Sequence, residues 1–116
     1  MRYALLIWDE EKRQNEMTEE EGQAQMAGYM GFGEEMSGRG VLQGGERLHP
    51  TPATTTVRVR DGEVLTSDGP FAETKEAPGG FYMVDAPDLD TAIAIAARVP
   101  AARMVRAVEI RPVVDR

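Results

Sequence analysis

Apolar residues follow one another with almost no break from Tyr3 to Trp8, bounded by Arg2 and Asp9. Such a run predicts a strand at the centre of a sheet, covered on both sides. Asp9 to Met17 is polar and reads as a loop. Thr18-Glu19-Glu20-Glu21 is a capping box: the Thr hydroxyl and the Glu carboxylate each satisfy a backbone donor of the first helical turn. The helix it opens is expected to run to about Ser37, with Met26, Met30, Gly33 and Ser37 as its stripe and Tyr29 and Met36 beside it. Gly38 and Gly40 end it.

Val41 to Leu48 reads as a short, glycine-interrupted strand, broken by His49-Pro50-Thr51-Pro52 because neither proline donates to a ladder. Thr54 to Arg60 alternates in the manner of a half-buried strand. Asp61-Gly62 turns the chain, and Glu63 to Thr66 returns as its partner. Ser67 to Gly80 reads as a long loop, and Phe81 to Val84 as a short strand. A second helix follows, with Asp88 as N-cap, a face of Leu89, Ala92, Ile93, Ala96 and Val99, and Pro100 as its stop. Val105 to Val113 alternates as a final strand. The order is β-α-β-β-β-α-β or close to it, with one inserted hairpin. That order suggests an α+β split βαβ layer of the ferredoxin-like kind with a mainly antiparallel sheet. Two helices cover one sheet face only, so a second copy of the chain is expected on the other, as a homodimer.

Composition narrows the functions. At 116 residues and 41% apolar, the chain suits one globular domain, residues 1–116. The absence of cysteine removes disulfides, thiolate metal sites and a cysteine nucleophile. No apolar run is long enough for a membrane span, and the N-terminus lacks the features of a signal peptide, so a cytoplasmic protein is expected. The net charge of −7 argues against binding nucleic acid. Arg98, Arg103, Arg106, Arg111 and Arg116 nevertheless gather near the C-terminus, as a solvated surface, a balance for the acidic helix or a guide for an anionic ligand.

The segment Asp68-Gly69-Pro70-Phe71-Ala72-Glu73-Thr74-Lys75-Glu76-Ala77-Pro78-Gly79-Gly80, followed by Phe81-Tyr82, resembles the DGPF branch of the YCII-related family. Tyr3 to Ile7, Gly44-Gly45-Glu46, Thr55 to Asp61, Val99 to Ala102 and Val108 to Pro112 match as well, so the resemblance covers almost the whole chain. It implies a ferredoxin-like fold of the dimeric α/β-barrel type. Most members have no assigned activity. One relative in the wider family is a dehydrochlorinase acting on a chlorinated hydroxyquinol, with a His–Asp pair proposed as its site. Relatives of the DGPF branch often lie near extracytoplasmic-function sigma factors or are fused to their domains. The wider family's histidine sits early, in the first helical region, but residues 1–48 here contain none. The dyad therefore does not carry over, and Asp68 is the matching carboxylate.

Two readings of Asp68 stand side by side: a turn residue bonded to nearby backbone, or a carboxylate held rigidly as a general base. Glu73, Lys75 and Glu76 form either a solvated cluster or a substrate clamp. His49, the one histidine, is an exposed loop residue or a proton shuttle. Trp8, Phe71 and Phe81 are core or interface residues, or the apolar walls of a substrate pocket, and Tyr82 is a packing residue or, like His49, a second polar group that donates a hydrogen bond into that pocket. No metal site, cofactor motif, phosphate loop or nucleophile elbow is present in the sequence. Two functions follow. One is a small-molecule-binding domain, enzyme-like, with proton-transfer chemistry such as elimination centred on the Asp68 loop. The other is a non-catalytic interaction or regulatory module with a sigma factor as partner.

Overall fold

The computed structural model describes residues 1–72, 74–103 and 106–115. Its main sheet has four strands: β1 (Arg2–Glu10), β2 (Leu42–Arg47), β5 (Glu76–Asp85) and β6 (Ala107–Pro112). They lie in the order β2-β5-β1-β6, and every pairing is antiparallel. β1 is thus central, as its apolar run predicts. β1 and β2 run the same way with β5 between them, which is the split βαβ arrangement of an α+β, ferredoxin-like fold.

β1 alternates strictly. Tyr3, Leu5 and Ile7 are buried on the helical side, while Ala4, Leu6 and Trp8 are half-buried on the other. Against the inner column pack α2 (Glu19–Gly38), α3 (Leu89–Ala96) and the short α4 (Pro100–Arg103), giving a core of Leu5, Met36, Val84, Ile95 and Val99. The capping box forms as expected, with Glu21 N donating to Thr18 Oγ1 at 3.1 Å and Thr18 N donating to the Glu21 carboxylate at 3.4 Å. Asp88 caps α3 by accepting from Thr91 N at 2.8 Å. Arg98, just after α3, donates to the Glu35 carboxylate of α2 through paired contacts of 2.5 and 2.6 Å.

The structure corrects several expectations. Glu11–Asn15, expected as loop, is a short helix, α1. The inner face of α2 is Phe32 and Met36 with Tyr29 beside them, whereas Met26 and Met30 are 58% and 62% exposed. With five glycines and few large apolar residues, α2 carries a weak stripe, and tertiary packing chose the neighbouring one. In α3, Ala92, Ile95 and Ala96 face inward while Leu89 and Ile93 are about half exposed. Pro100 does not merely stop a helix but stands first in α4, where its missing N–H costs nothing. The expected loop up to Gly80 is shorter, because β5 begins at Glu76 and pairs with β1 from there. Pro78 is tolerated in that strand because β2 has ended at Arg47, which leaves its outer edge without a full ladder. Of the expected final strand, Val105 lies outside the described residues.

β3 (Thr55–Arg60) and β4 (Glu63–Asp68) form a separate two-stranded ribbon. Its turn has Asp61 at φ 53° and Gly62 at φ 77°, the pair of left-handed residues a type I′ hairpin needs. The radius of gyration is 16.1 Å, against roughly 13 Å for a compact chain of this length. The projecting ribbon is consistent with that excess.

Two glycines allow β2 and β5 to approach closely. A Cβ on Gly45 would lie 2.6 Å from both Phe81 O and Tyr82 Cδ1, and one on Gly80 would lie 2.8 Å from Glu46 O. Gly31, in contrast, faces open space in α2. Gly45→Ala is therefore expected to lower the unfolding free energy by about 1–3 kcal/mol through overpacking. Gly31→Ala is expected to raise it by about 0.4–1 kcal/mol through reduced chain entropy and better helix propensity. Urea denaturation of the two variants checks both signs.

Candidate functional site

The alternation of β1 does not stop at Ile7. The next inward position is Asp9, which is 8% exposed and is the buried charged residue among those described. Its charge is compensated across the sheet edge. Arg106, just before β6, places Nε 2.7 Å from Asp9 Oδ1, with side chains only 4% and 11% exposed. Gln14 of α1 donates its amide to Asp9 Oδ2. Gln25 of α2 accepts from Arg106 Nη1 at 3.4 Å and from Gln14 at 3.5 Å. Four side chains from β1, α1, α2 and the approach to β6 thus form one polar knot beneath the helical layer. A buried ion pair of this kind costs about 3–5 kcal/mol when one partner alone is removed. Neither Asp9 Oδ1 nor Arg106 Nε has an aligned hydrogen bond, so the contact is electrostatic and leaves directional capacity at both atoms.

Two cavities meet at this knot. The first, of about 360 Å³, lies between the N-terminal half of α2 and the sheet, and is lined by Ile7, Met26, Tyr29, Met30 and Tyr82 among others. The second, of about 440 Å³, lies between α1 and the segment after β2, with Glu11, Gln14, Leu48, His49 and Pro50 in its wall. Asp9, Arg47 and Gly79 line both. Glu11 builds the second wall by accepting from Thr51 N and Thr51 Oγ1, each at 2.7 Å, which ties the 3₁₀ turn Thr51–Ala53 to α1. Gly79 is the extra residue of a β-bulge: Ile7 pairs with Gly80, but Trp8 pairs with Pro78. Bulges of this type gather beside functional clefts.

Of the residues singled out from the sequence, Tyr82 and Phe81 line the first cavity and His49 the second. Asp68, Trp8, Phe71 and Lys75 line neither. Asp68 ends β4, exposed. The turn after it is held by backbone: Gly69, at φ 94°, donates its N–H to Thr54 O at 2.7 Å and accepts from Thr56 Oγ1 at 2.8 Å. Phe71 is 75% exposed, with the Arg58 guanidinium 4.8 Å above its ring. Lys75 makes a surface contact with Glu10 at 3.9 Å. Trp8 is on the opposite sheet face, where its indole N–H is buried without a partner. Glu73 lies outside the described residues. Sequence reasoning missed Asp9, Arg106, Gln14, Gln25, Tyr29 and Arg47 as site residues. The signal for Asp9 was present, since Tyr3, Leu5, Ile7 and Asp9 share one side of a period-two strand. Nothing in the sequence marked Arg106 apart from the arginines near it. Among the described residues, no three His, Asp or Glu side chains gather at metal-ligand spacing, and no helix is long and apolar enough to cross a membrane.

Tyr29 and Tyr82 give the first cavity two protonated hydroxyls. Burial pushes the Tyr29 phenol above its ordinary 10.0, and Tyr82 and Asp9 add to the effect against the opposing pull of Arg106. Burial alone raises Tyr82. In the unfolded chain both ionise near 10, so above that pH the unfolded state binds fewer protons and stability falls as pH rises, until the folded-state values are passed. An unfolding series across the alkaline range is expected to show this decline, and Tyr29→Phe to flatten it.

The comparisons with known proteins agree with this architecture. The model of the YCII-related domain matches residues 1–115. An uncharacterized protein of Rhizobium meliloti (strain 1021) is 38% identical over 93 residues, covering 80% of this chain and 75% of that protein. Continuous similarity from the first strand through the last places the chain in the YCII-related family.

Proposed function

We propose that the chain is a small-molecule-binding, enzyme-like domain whose site is the cleft at Asp9, with acid/base chemistry of the elimination class. The observation that carries this reading is a buried carboxylate standing where two cavities join, next to apolar walls and a few convergent polar groups. In such a site the Asp9 carboxylate is the proton acceptor, with Oδ2 held by Gln14 and Oδ1 facing Arg106 Nε at 2.7 Å. Arg106 and Gln14 are positioning residues that fix the carboxylate. His49, in the second cavity, is the group that exchanges the proton with solvent. A broad fragment screen by amide chemical shifts is expected to yield ligands that move Gly45, Gly79 and Gly80. Asp9→Asn is expected to weaken those ligands at least tenfold, and Asp68→Ala to leave them unchanged. A screen whose ligands all bind at the Asp68 turn, or that yields none, overturns the reading.

We also propose that the chain works as a homodimer. Ala4, Leu6 and Trp8 are half-exposed on the face of the main sheet away from the helices, and the buried Trp8 indole N–H there has no acceptor. A second copy covers this face. Light scattering is expected to give about twice 12.7 kDa, and Leu6→Glu to halve that mass while the fold is retained.

One observation favours a second reading, the interaction or regulatory module. The β3–β4 ribbon exposes Val57, Val59 and Val64, and Phe71 stands out beside it. Exposed apolar side chains on a two-stranded ribbon suit contact with another protein, for which a sigma factor is the partner suggested by the family resemblance.

A further inference from the structure

The charges around the cleft differ from those of the whole chain. The net charge is −7, yet the carboxylates at the cleft are largely engaged. Asp9 is compensated by Arg106. Both oxygens of Glu11 are held by Thr51. Glu46 also lines the first cavity, but it alternates with Arg47 along β2, so its carboxylate is directed to the opposite sheet face. The groups left over are donors. Arg47 lines both cavities and forms no ion pair or hydrogen bond through its side chain among the described residues. His49 stands beside it in the second cavity, and the Tyr29 and Tyr82 hydroxyls stay protonated in the first.

The junction between the two cavities is open for a specific reason. Gly79 lines both, and a Cβ there would meet nothing within 4 Å. Its φ is not in the left-handed region, so the position does not need glycine for the backbone. The missing side chain leaves room instead.

We infer that this cleft takes an amphiphilic organic anion, with an aromatic or alkyl body against Tyr29, Tyr82 and Met26 and a carboxylate held by Arg47 and His49. The ligand passes over Gly79 and so lies across Asp9. This rests on the reading of the cleft as a ligand site and adds the class of ligand to it. Arg47 is solvent-exposed, so its contribution is that of a surface ion pair, a preference of roughly fivefold.

The test uses the full chain, ¹⁵N-labelled, with two probes of one shape: 4-phenylbutyrate and the neutral 4-phenylbutan-1-ol. The acid is expected to move the amides of Gly45, Gly79 and Gly80 and to bind about fivefold more tightly than the alcohol. Arg47→Gln, at the exposed end of an edge strand, is expected to abolish that difference by weakening the acid alone. Gly79→Val is expected to weaken both probes by filling the junction. Equal or tighter binding of the alcohol overturns the anion assignment while the ligand-site reading stands. Equal weakening of both probes by Arg47→Gln also overturns it, since Arg47 is then only wall. Full binding of both by Gly79→Val overturns the path across the junction. Failure of both probes to move the cleft amides overturns the anion assignment together with the ligand-site reading.

Discussion

The inward column of β1 is the constraint on which the rest depends. Three apolar side chains, Tyr3, Leu5 and Ile7, fix which face of the central strand turns toward the helices. The strand period then leaves Asp9 no choice but to follow them inward. A one-residue slip would free the carboxylate but would bury Ala4, Leu6 and Trp8 in place of the existing core. The fold keeps the register and neutralises the charge instead. Arg106 supplies the compensation from the approach to β6, so the last strand is positioned by electrostatics as well as by its ladder to β1. Gln14 and Gln25 complete the knot and draw α1 and α2 to the same point.

This knot is also why a cleft exists there. The core is filled where α2 presents Phe32 and Met36, with Phe32 packed on Tyr82 at a centroid distance of 4.9 Å. Toward its N-terminus α2 presents Gln25 and Tyr29 instead, because the surface below is polar. Met26 and Met30 overhang the resulting space and make flexible, polarizable rims. On the sheet side, Gly45 gives the Tyr82 ring room beside β2, while Gly79 and Gly80 form a floor without side chains. The space is therefore a consequence of the same residues that solve the burial of Asp9.

Much of the fold was readable from the sequence because its signals are local. The central strand, the Thr18 capping box, the Asp88 cap and the Asp61-Gly62 turn each depend on a few adjacent residues, and each appears in the structure. The misplacements have one cause. The inner stripe of α2, the inner face of α3 and the extent of β5 are decided by what packs or pairs across from them, and local composition was neutral or misleading there. The candidate site was legible only in part. Phe81, Tyr82 and His49 attract notice by residue type. Arg106 does not, since its burial depends on meeting a carboxylate 97 positions away in sequence (106 − 9 = 97). The Asp68 run drew attention because it is compositionally distinctive, yet its backbone hydrogen bonds to Thr54 and Thr56 account for much of that composition as turn chemistry.

The ribbon that ends in this turn poses a separate physical question. A two-stranded hairpin is marginal in water on its own. Here one face carries Thr55, Val57, Val59, Val64 and Thr66 with little cover, and the other carries Arg58, Arg60, Glu63 and Leu65. What fixes its base is the bonding of Gly69 to Thr54 and Thr56, and what shields one patch is Phe71 beneath Arg58. These contacts anchor the root of the ribbon and leave its β-branched face unsupported. A ribbon so anchored presents an apolar strip of Val57, Val59 and Val64. The Asp68 turn is the root of that ribbon, tied down through Gly69, whereas the carboxylate that the fold buries is Asp9 on β1.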